Sequence, residues 1–330
     1  MRILVTGGCG FIGSAFVRLA IGRGAEVVNL DKLTYAGNPA NVADVADHPA
    51  YSFVHADIAD ADAVARAMLG VEVVVNFAAE SHVDRSILSP GDFIQTDVVG
   101  TAVLLDAART AGVRRFVQVS TDEVYGSIQT GAFRETDPIS PSSPYSASKA
   151  GGDLQVLAWH RTFGIDALIT RGSNTYGPRQ YPEKLIPLFV TNALDGHELP
   201  VYGDGMQIRD WIYVDDHCEG IWTAMERGVA GEVYNVGGGN EIANIDITNR
   251  ILELTGRDAR LIRHVADRPG HDRRYALATE KLRGLGWEPR REFDRAIEET
   301  VAWYTERREW WEPIKSGEYR AYYEEQYGSR

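Results

Sequence analysis

Short runs of β-branched and aliphatic residues alternate with longer stretches of helical periodicity through the first half of the chain. Ile3 to Thr6, Glu26 to Leu30, Tyr51 to His55, Val73 to Phe77 and Phe116 to Ser120 are apolar runs of strand length. Between most of them Ile12 to Gly22, Ala61 to Leu69 and Gly100 to Ala111 carry helical patterns. Continuous apolar strands separated by helices predict a parallel sheet covered on both faces. A further helix is expected from about Ser143 to Phe163, feeding a strand from Ala167 to Arg171.

Beyond that strand the rhythm changes. Pro178, Pro182 and Pro187 punctuate a loop that leads into a short helix, and Gly203-Asp204-Gly205 marks a turn. Helical patterns then dominate, around Asp215 to Glu226, Asp246 to Thr255 and Arg291 to Trp303. The expected organisation is a doubly wound α/β domain over residues 1–172 and a smaller, mainly helical substrate domain over 173–330. A return of the chain to the first domain is expected near 212–236, with the ligand cleft between the two. The aromatic tail (Trp303, Tyr304, Trp310, Trp311) falls at helical spacing and reads as packing.

Composition narrows the classes without changing this picture. With 44% apolar and 25% charged residues over 330 positions the chain can bury a core without staples. A formal charge of −13 argues against nucleic acid, which needs a dense basic surface. It leaves room for an anionic small ligand held by a few arginines in a cleft. The two cysteines, Cys9 and Cys218, have no metal-type spacing and no disulfide framework. The glycines reached within seven residues of Met1 leave no room for a signal segment, and no long apolar run follows. A cytoplasmic protein with no membrane segment and no metal is expected.

Gly7, Gly10 and Gly13 lie directly after the first strand and open the first helix. The G-x-x-G-x-x-G spacing serves a tight turn, a close backbone approach to a pyrophosphate, and a helix N-terminus facing negative charge, as in a Rossmann-type domain. Asp31 ends the second strand, where a carboxylate can accept from a ribose hydroxyl and repel a 2′-phosphate. Lys32 could soften that repulsion; NAD is favoured over NADP. Asp57 and Ile58, just past the third strand, could edge the adenine, though many strands end in such a pair.

Tyr145 and Lys149 stand four apart on an expected helix and so share a face. A lysine beside a tyrosine stabilises phenolate and can also donate to the nicotinamide ribose. Ser120-Thr121-Asp122-Glu123 ends the fifth strand, the side of an open parallel sheet where ligands sit. The carboxylates could equally cap a following helix.

Together Gly7 to Gly13, Tyr145-x-x-x-Lys149 and Ser120 to Gly126 resemble the extended short-chain dehydrogenase/reductases, and among these the sugar-nucleotide dehydratases. Residues 31–38, 78–86, 182–187, 209–211 and 266–275 fit the same family, so the resemblance runs over nearly the whole chain. It implies that Phe11, Ile12, Thr34, Ala78, Ala79 and Ser81 join the glycines in holding NAD. It also implies dehydration of dTDP-glucose to its 4-keto-6-deoxy form. Tyr145 would take the 4-hydroxyl proton while C4 passes hydride to NAD, and Thr121 would hold the 4-oxygen. Glu123 would take the C5 proton, and protonated Asp122 would donate to the departing 6-hydroxyl before hydride returns to C6. Like-charge repulsion between adjacent carboxyls separates their pKa values, as one neutral and one ionised group require.

For the nucleoside diphosphate the resemblance implies Arg209 and Arg268 on phosphates, with Ser81, Asn174, Glu183 and Asn244 as further contacts. Lys184, Leu185, Pro200 and Tyr202 would frame the pyrimidine, and His271 would touch the ribose or serve as a buried structural histidine. A homodimer is implied through helices near 90–111 and 144–163, where the alanine-rich Ala102 to Ala111 could allow close contact or simply face its own sheet. The chain departs from the family at Thr175, where asparagine is usual, at Arg179 and Gln180, at Asp97 in place of asparagine, and at Gly172 in place of cysteine. Arg179 could add a phosphate contact. A dehydratase for another nucleotide sugar, a 4-epimerase, and a non-catalytic NAD sensor are the alternative readings.

Overall fold

In the computed structural model, which describes residues 1–268, 270–316 and 318–327, the apolar runs of the first half become parallel strands. They are β1 (Arg2–Thr6), β2 (Glu26–Asp31), β3 (Tyr51–His55), β4 (Val73–Asn76), β5 (Arg115–Thr121) and β6 (Ala167–Gly172). Pro269, within the segment 266–275 quoted above, lies outside the described residues. The second half adds β7 (Asn174–Tyr176), β8 (Leu199–Tyr202), β9 (Ile208–Tyr213), β10 (Val233–Val236), β11 (Glu241–Ala243) and β12 (Ile262–Val265).

Seven strands form one sheet in the order β10-β6-β5-β4-β1-β2-β3, with every neighbouring pair parallel. β1 from Ile3 onward and the whole of β4 are buried on both faces, as their runs of Val, Ile and Leu require. One apolar layer on each face fills the space beneath the flanking helices. The order reverses between β1 and β4, so the chain diverges there and leaves a crevice beyond the carboxyl ends of the strands.

The chain leaves this sheet after β6 and rejoins it at β10, which pairs with β6 from Val233 opposite Ile169 to Val236 opposite Gly172. Between them, helix Val214–Arg227 packs on helix Phe11–Gly22, with the rings of Trp222 and Phe16 5.9 Å apart and Arg23 2.5 Å from Glu219. The remainder is a smaller region of helices and two small sheets, β11-β9-β7 and β8-β12. These strands span only three to six residues, too short for an apolar alternation to stand out against helical patterns. Tyr304 and Trp311 are buried in this region, and Trp303, Tyr304 and Trp310 pack edge to face. A last helix, Glu318–Tyr327, follows.

Candidate active site

The glycine turn is held open by what surrounds it. Gly7 has φ +66°, and a Cβ there would come 2.8 Å from the Ala78 backbone nitrogen at the end of β4. A Cβ on Gly13 would strike the Gly7 carbonyl oxygen. Gly10 caps helix Phe11–Gly22 without a side-chain hydrogen bond, so the amides of the first turn face the crevice. A cleft of about 300 Å³ runs from here across the carboxyl ends of the strands. Gly7, Gly10, Phe11, Ile12, Gly13, Asp31, Lys32, Thr34, Asp57, Ile58, Ala78, Ala79, Ser81, Tyr145 and Lys149 all line it.

Asp31 sits at the end of β2 with both carboxylate oxygens already holding one backbone donor, Cys9 N and Leu33 N, each at 2.8 Å. Leu33 takes φ +56° to deliver its amide. Each oxygen keeps a lone pair for a ribose hydroxyl. Lys32 does not stand free beside it: its ammonium lies 2.6 Å from Asp57, so it offers little to a 2′-phosphate. A glycine cradle, uncapped helix amides and an acceptor carboxylate fit an unphosphorylated dinucleotide.

Beyond β5 the chain enters a short 3₁₀ turn, Asp122–Tyr125, whose first amides are capped by Thr121: its hydroxyl accepts from Glu123 N at 3.2 Å. This cap aims Thr121, Asp122 and Glu123 into the cleft that Tyr145 and Lys149 also border. Helix Pro144–Phe163 begins on a reciprocal Ser143–Ser146 capping box with Pro144 in the first turn, which fixes the position of Tyr145. The Phe93 ring meets Tyr145 edge-on at 6.3 Å.

Electrostatics separate the two carboxyls. Burial pushes Asp122 well above the usual carboxylate range, the charge of Glu123 adds to it, and Asp122 Oδ2 is buried without a partner. Glu123 is also raised by burial, but the cations of Arg268, Lys184 and Arg209 pull it back. The more readily protonated group is therefore Asp122. One expectation is corrected: the Tyr145 phenol stands above its usual range and not below it, raised first by burial and then by the charges of Glu123 and Asp97, while a hydrogen bond with Thr121 draws it down. The Lys149 ammonium donates to the Val119 carbonyl at 2.9 Å.

The residues expected to hold the nucleoside diphosphate fall into two groups. Ser81, Thr121, Asn174 and Lys184 line the cleft, and the Lys184 ammonium donates to the Ser81 carbonyl. Glu183, Leu185, Pro200, Tyr202, Arg209, Asn244, Arg268 and His271 are not part of its wall. Arg209 lies over the Tyr275 ring at 4.2 Å and donates to the carbonyls of Ile208 and Asp272. Arg268 faces Asp84 at 3.4 Å, and Tyr202 donates to the same carboxylate at 3.0 Å. His271 packs edge-on against Tyr202 and bonds Asp267 at 2.6 Å. Glu183 pairs with Arg85 at 2.8 Å. Leu185 opens helix Leu185–Asp195, Pro200 is buried in β8, and Asn244 opens helix Asn244–Thr255 with its Oδ1 buried and unpaired.

Arg179, which could add a phosphate contact on the sequence reading, is not part of the cleft wall. At φ +70° its side chain turns out of the cleft toward Asp44, 3.5 Å away, and the Trp303 ring. Other wall residues escaped the sequence reading: Thr96 and His217 line the cleft without any local motif to flag them, and Glu80 lines it from within the segment 78–86 without having been assigned a role. The last helix also reaches this side of the molecule, where Tyr322 bonds His82 at 3.3 Å and Gln326 donates to Tyr202 at 2.8 Å. Among the described residues there is no cluster of side chains able to hold a metal ion, and no helix long and apolar enough to cross a membrane.

Residues 4–300 match the family described as GDP-mannose 4,6 dehydratase. The chain is 53% identical to a dTDP-glucose 4,6-dehydratase of Streptomyces niveus, with 96% of each chain covered. It is 49% identical to dTDP-glucose 4,6-dehydratase 1 of Escherichia coli K12 over the full length of both. Its fold superposes with a TM-score of 0.94 on the dTDP-glucose 4,6-dehydratase of Streptomyces venezuelae solved with NAD bound, at 54% identity, covering 96% of this chain and all of that one. Sequence and fold thus converge end to end, and the chain belongs to the dTDP-glucose 4,6-dehydratases within the GDP-mannose 4,6 dehydratase family.

Proposed function

We propose that this protein converts dTDP-glucose to dTDP-4-keto-6-deoxyglucose, with Thr121, Asp122, Glu123, Tyr145 and Lys149 as its working residues. The observation that carries this reading is the capped Thr121-Asp122-Glu123 turn, which presents two carboxyls of unequal protonation tendency to the cleft bordered by Tyr145. A Tyr–Lys pair alone would serve an epimerase equally well.

NAD, when bound, supplies a hydride acceptor and later a hydride donor. Tyr145, whose raised phenol would be drawn toward phenolate by the positive charge that bound NAD brings beside Lys149, accepts the proton of the sugar 4-hydroxyl as C4 is oxidised, and Thr121 holds the 4-oxygen through its hydroxyl. The 4-ketone acidifies C5, and Glu123, held toward ionisation by Arg268, Lys184 and Arg209, removes that proton. Asp122, protonated because of its burial, donates to the 6-hydroxyl as water leaves. Lys149 steadies the tyrosine and the cofactor ribose. Gly7 to Gly13, Asp31 and the wall residues named above hold the dinucleotide, with Lys32 tied back to Asp57. Lys184 on the cleft wall receives the diphosphate together with Arg209 and Arg268, which lie off that wall but close enough for their charges to act on Glu123. Tyr202, Pro200 and Leu185, also off the wall, take the thymine where the nucleotide extends past it.

A second copy covers the exposed aliphatic face of Ile87, Leu88, Ile94, Val99 and Leu154, which spans helices Val83–Leu88 and Pro144–Phe163 and the π-helical turn Ile94–Gly100. The alanine-rich helix Thr101–Ala111 instead turns Leu104, Leu105 and Ala108 onto its own sheet. Two free, buried cysteines suit a reducing cytoplasm.

Incubation with dTDP-glucose in heavy water tests the activity. Deuterium at C5 of a 4-keto-6-deoxy product is expected. An untouched dTDP-glucose beside a dehydrated alternative sugar nucleotide would move the substrate assignment, and a C4 epimer without water loss would remove the dehydratase reading.

A further inference from the structure

His217, on helix Val214–Arg227, is 2% exposed, and its two ring nitrogens are treated very differently. Nδ1 lies 2.7 Å from Thr175 Oγ1, whereas Nε2 is buried with no hydrogen-bond partner among the described residues. Thr175 Oγ1 also lies 3.1 Å from the Ser173 carbonyl, to which it donates. A hydroxyl carries one proton, so with that proton on Ser173 the oxygen can only accept from His217. The network satisfies both bonds when Nδ1 carries the hydrogen and Nε2 presents a bare lone pair. Burial keeps the ring neutral, its pKa pushed down to about 4.

The edge of the ring fits only because position 172 lacks a side chain. A Cβ on Gly172 would stand 2.5 Å from Nε2. Gly172, Ser173, Thr175 and His217 all border the cleft, and Gly172 pairs with Thr121 across β6 and β5, which places them on the Thr121 side of the sheet, away from Asp31 on β2 and from Asp57 after β3. A buried acceptor left without a donor costs about 1–3 kcal/mol, a penalty removed when a ligand brings an N–H. NAD carries amino hydrogens at its adenine and at its nicotinamide carboxamide, and only the second belongs on the Thr121 side.

We propose that His217, set by Thr175 and admitted by Gly172, positions the nicotinamide ring by accepting a hydrogen bond at Nε2 from the carboxamide amino group. The inference rests on the reading that this cleft holds NAD. Displacement of bound NAD from the purified holoenzyme tests it, with two analogues as competitors. 3-Acetylpyridine adenine dinucleotide has a methyl ketone in place of the carboxamide, and thionicotinamide adenine dinucleotide keeps the amino group. The acetylpyridine analogue is expected to bind about tenfold more weakly than NAD, the value of one lost hydrogen bond, and the thio analogue about as well as NAD. His217→Leu should bring the acetylpyridine ratio close to one, and Thr175→Val, which frees the tautomer, should lower it too. Should His217→Leu fail to fold, the Thr175→Val ratio decides. Wild-type protein indifferent to the amino group, or variants that keep the full ratio, overturns the proposal while NAD binding stands. Failure of any dinucleotide to bind removes the NAD reading and this inference together.

Discussion

At residue scale, neighbouring side chains of like chemistry are set to different tasks by what lies around them. Glu123 is raised by burial yet flanked by three cations, so as a base it must ionise against a low-dielectric surrounding. The rate should therefore fall on acidification through a value above the ordinary glutamate range. Replacing Glu123 by Gln should lower turnover by roughly 10²–10⁴, the usual worth of a positioned base, while leaving oxidation at C4 intact. NADH absorbance should accumulate in single turnover of E123Q; its absence would place Glu123 before the oxidation step.

Asp97 illustrates the same physics outside the reacting atoms. It lies in the π-helical turn Ile94–Gly100, 1% exposed, with Ser148 Oγ on one oxygen at 2.6 Å and no partner on the other. Burial raises its carboxyl to about 6. The folded value lies above the unfolded value of about 3.9, so the group's contribution is full below the unfolded value and is lost as pH rises through 6. Asp97→Asn should raise thermal stability at neutral pH, by on the order of 2 kcal/mol, and flatten the pH dependence of Tm between those values. An unchanged slope would show that Asp97 is not the titrating group.

At the scale of elements, the turn after β1 binds sheet, helix and cofactor cleft into one geometry. Gly7→Ala would strain a φ of +66° and press a methyl onto the Ala78 backbone. Loss of dinucleotide retention through gel filtration is expected, with a Tm lowered by a few degrees; full retention would mean the crevice is looser than its contacts indicate. This turn was legible in the sequence because its chemistry is local, as was that of Tyr145 and Lys149. The major strands were legible for the same reason, being continuous β-branched runs. The small sheets were not, since β7 and β11 have three residues each. The pairing of Thr175 with His217 joins residues 42 apart, which no spacing rule reaches. Arg179 misled because nearness in sequence to the cleft loop says nothing of a side chain turned by a positive φ.

The whole molecule divides its labour between a parallel sheet that carries the dinucleotide crevice and a smaller region that brings the charges of Lys184, Arg209 and Arg268 to bear on Glu123. Leu154, 55% exposed on helix Pro144–Phe163, is part of the face expected to meet a second copy. Leu154→Arg should shift the sedimentation coefficient to that of a monomer; a wild-type protein that already sediments as one removes the dimer proposal. The central claim is that oxidation, water loss and reduction occur on one sugar with one hydride. It is tested most directly with dTDP-glucose deuterated at C4. The account predicts that the deuterium reappears at C6 of the 4-keto-6-deoxy product within the same molecule. Deuterium found at C4 of an epimer, or exchanged into free NADH, would contradict it.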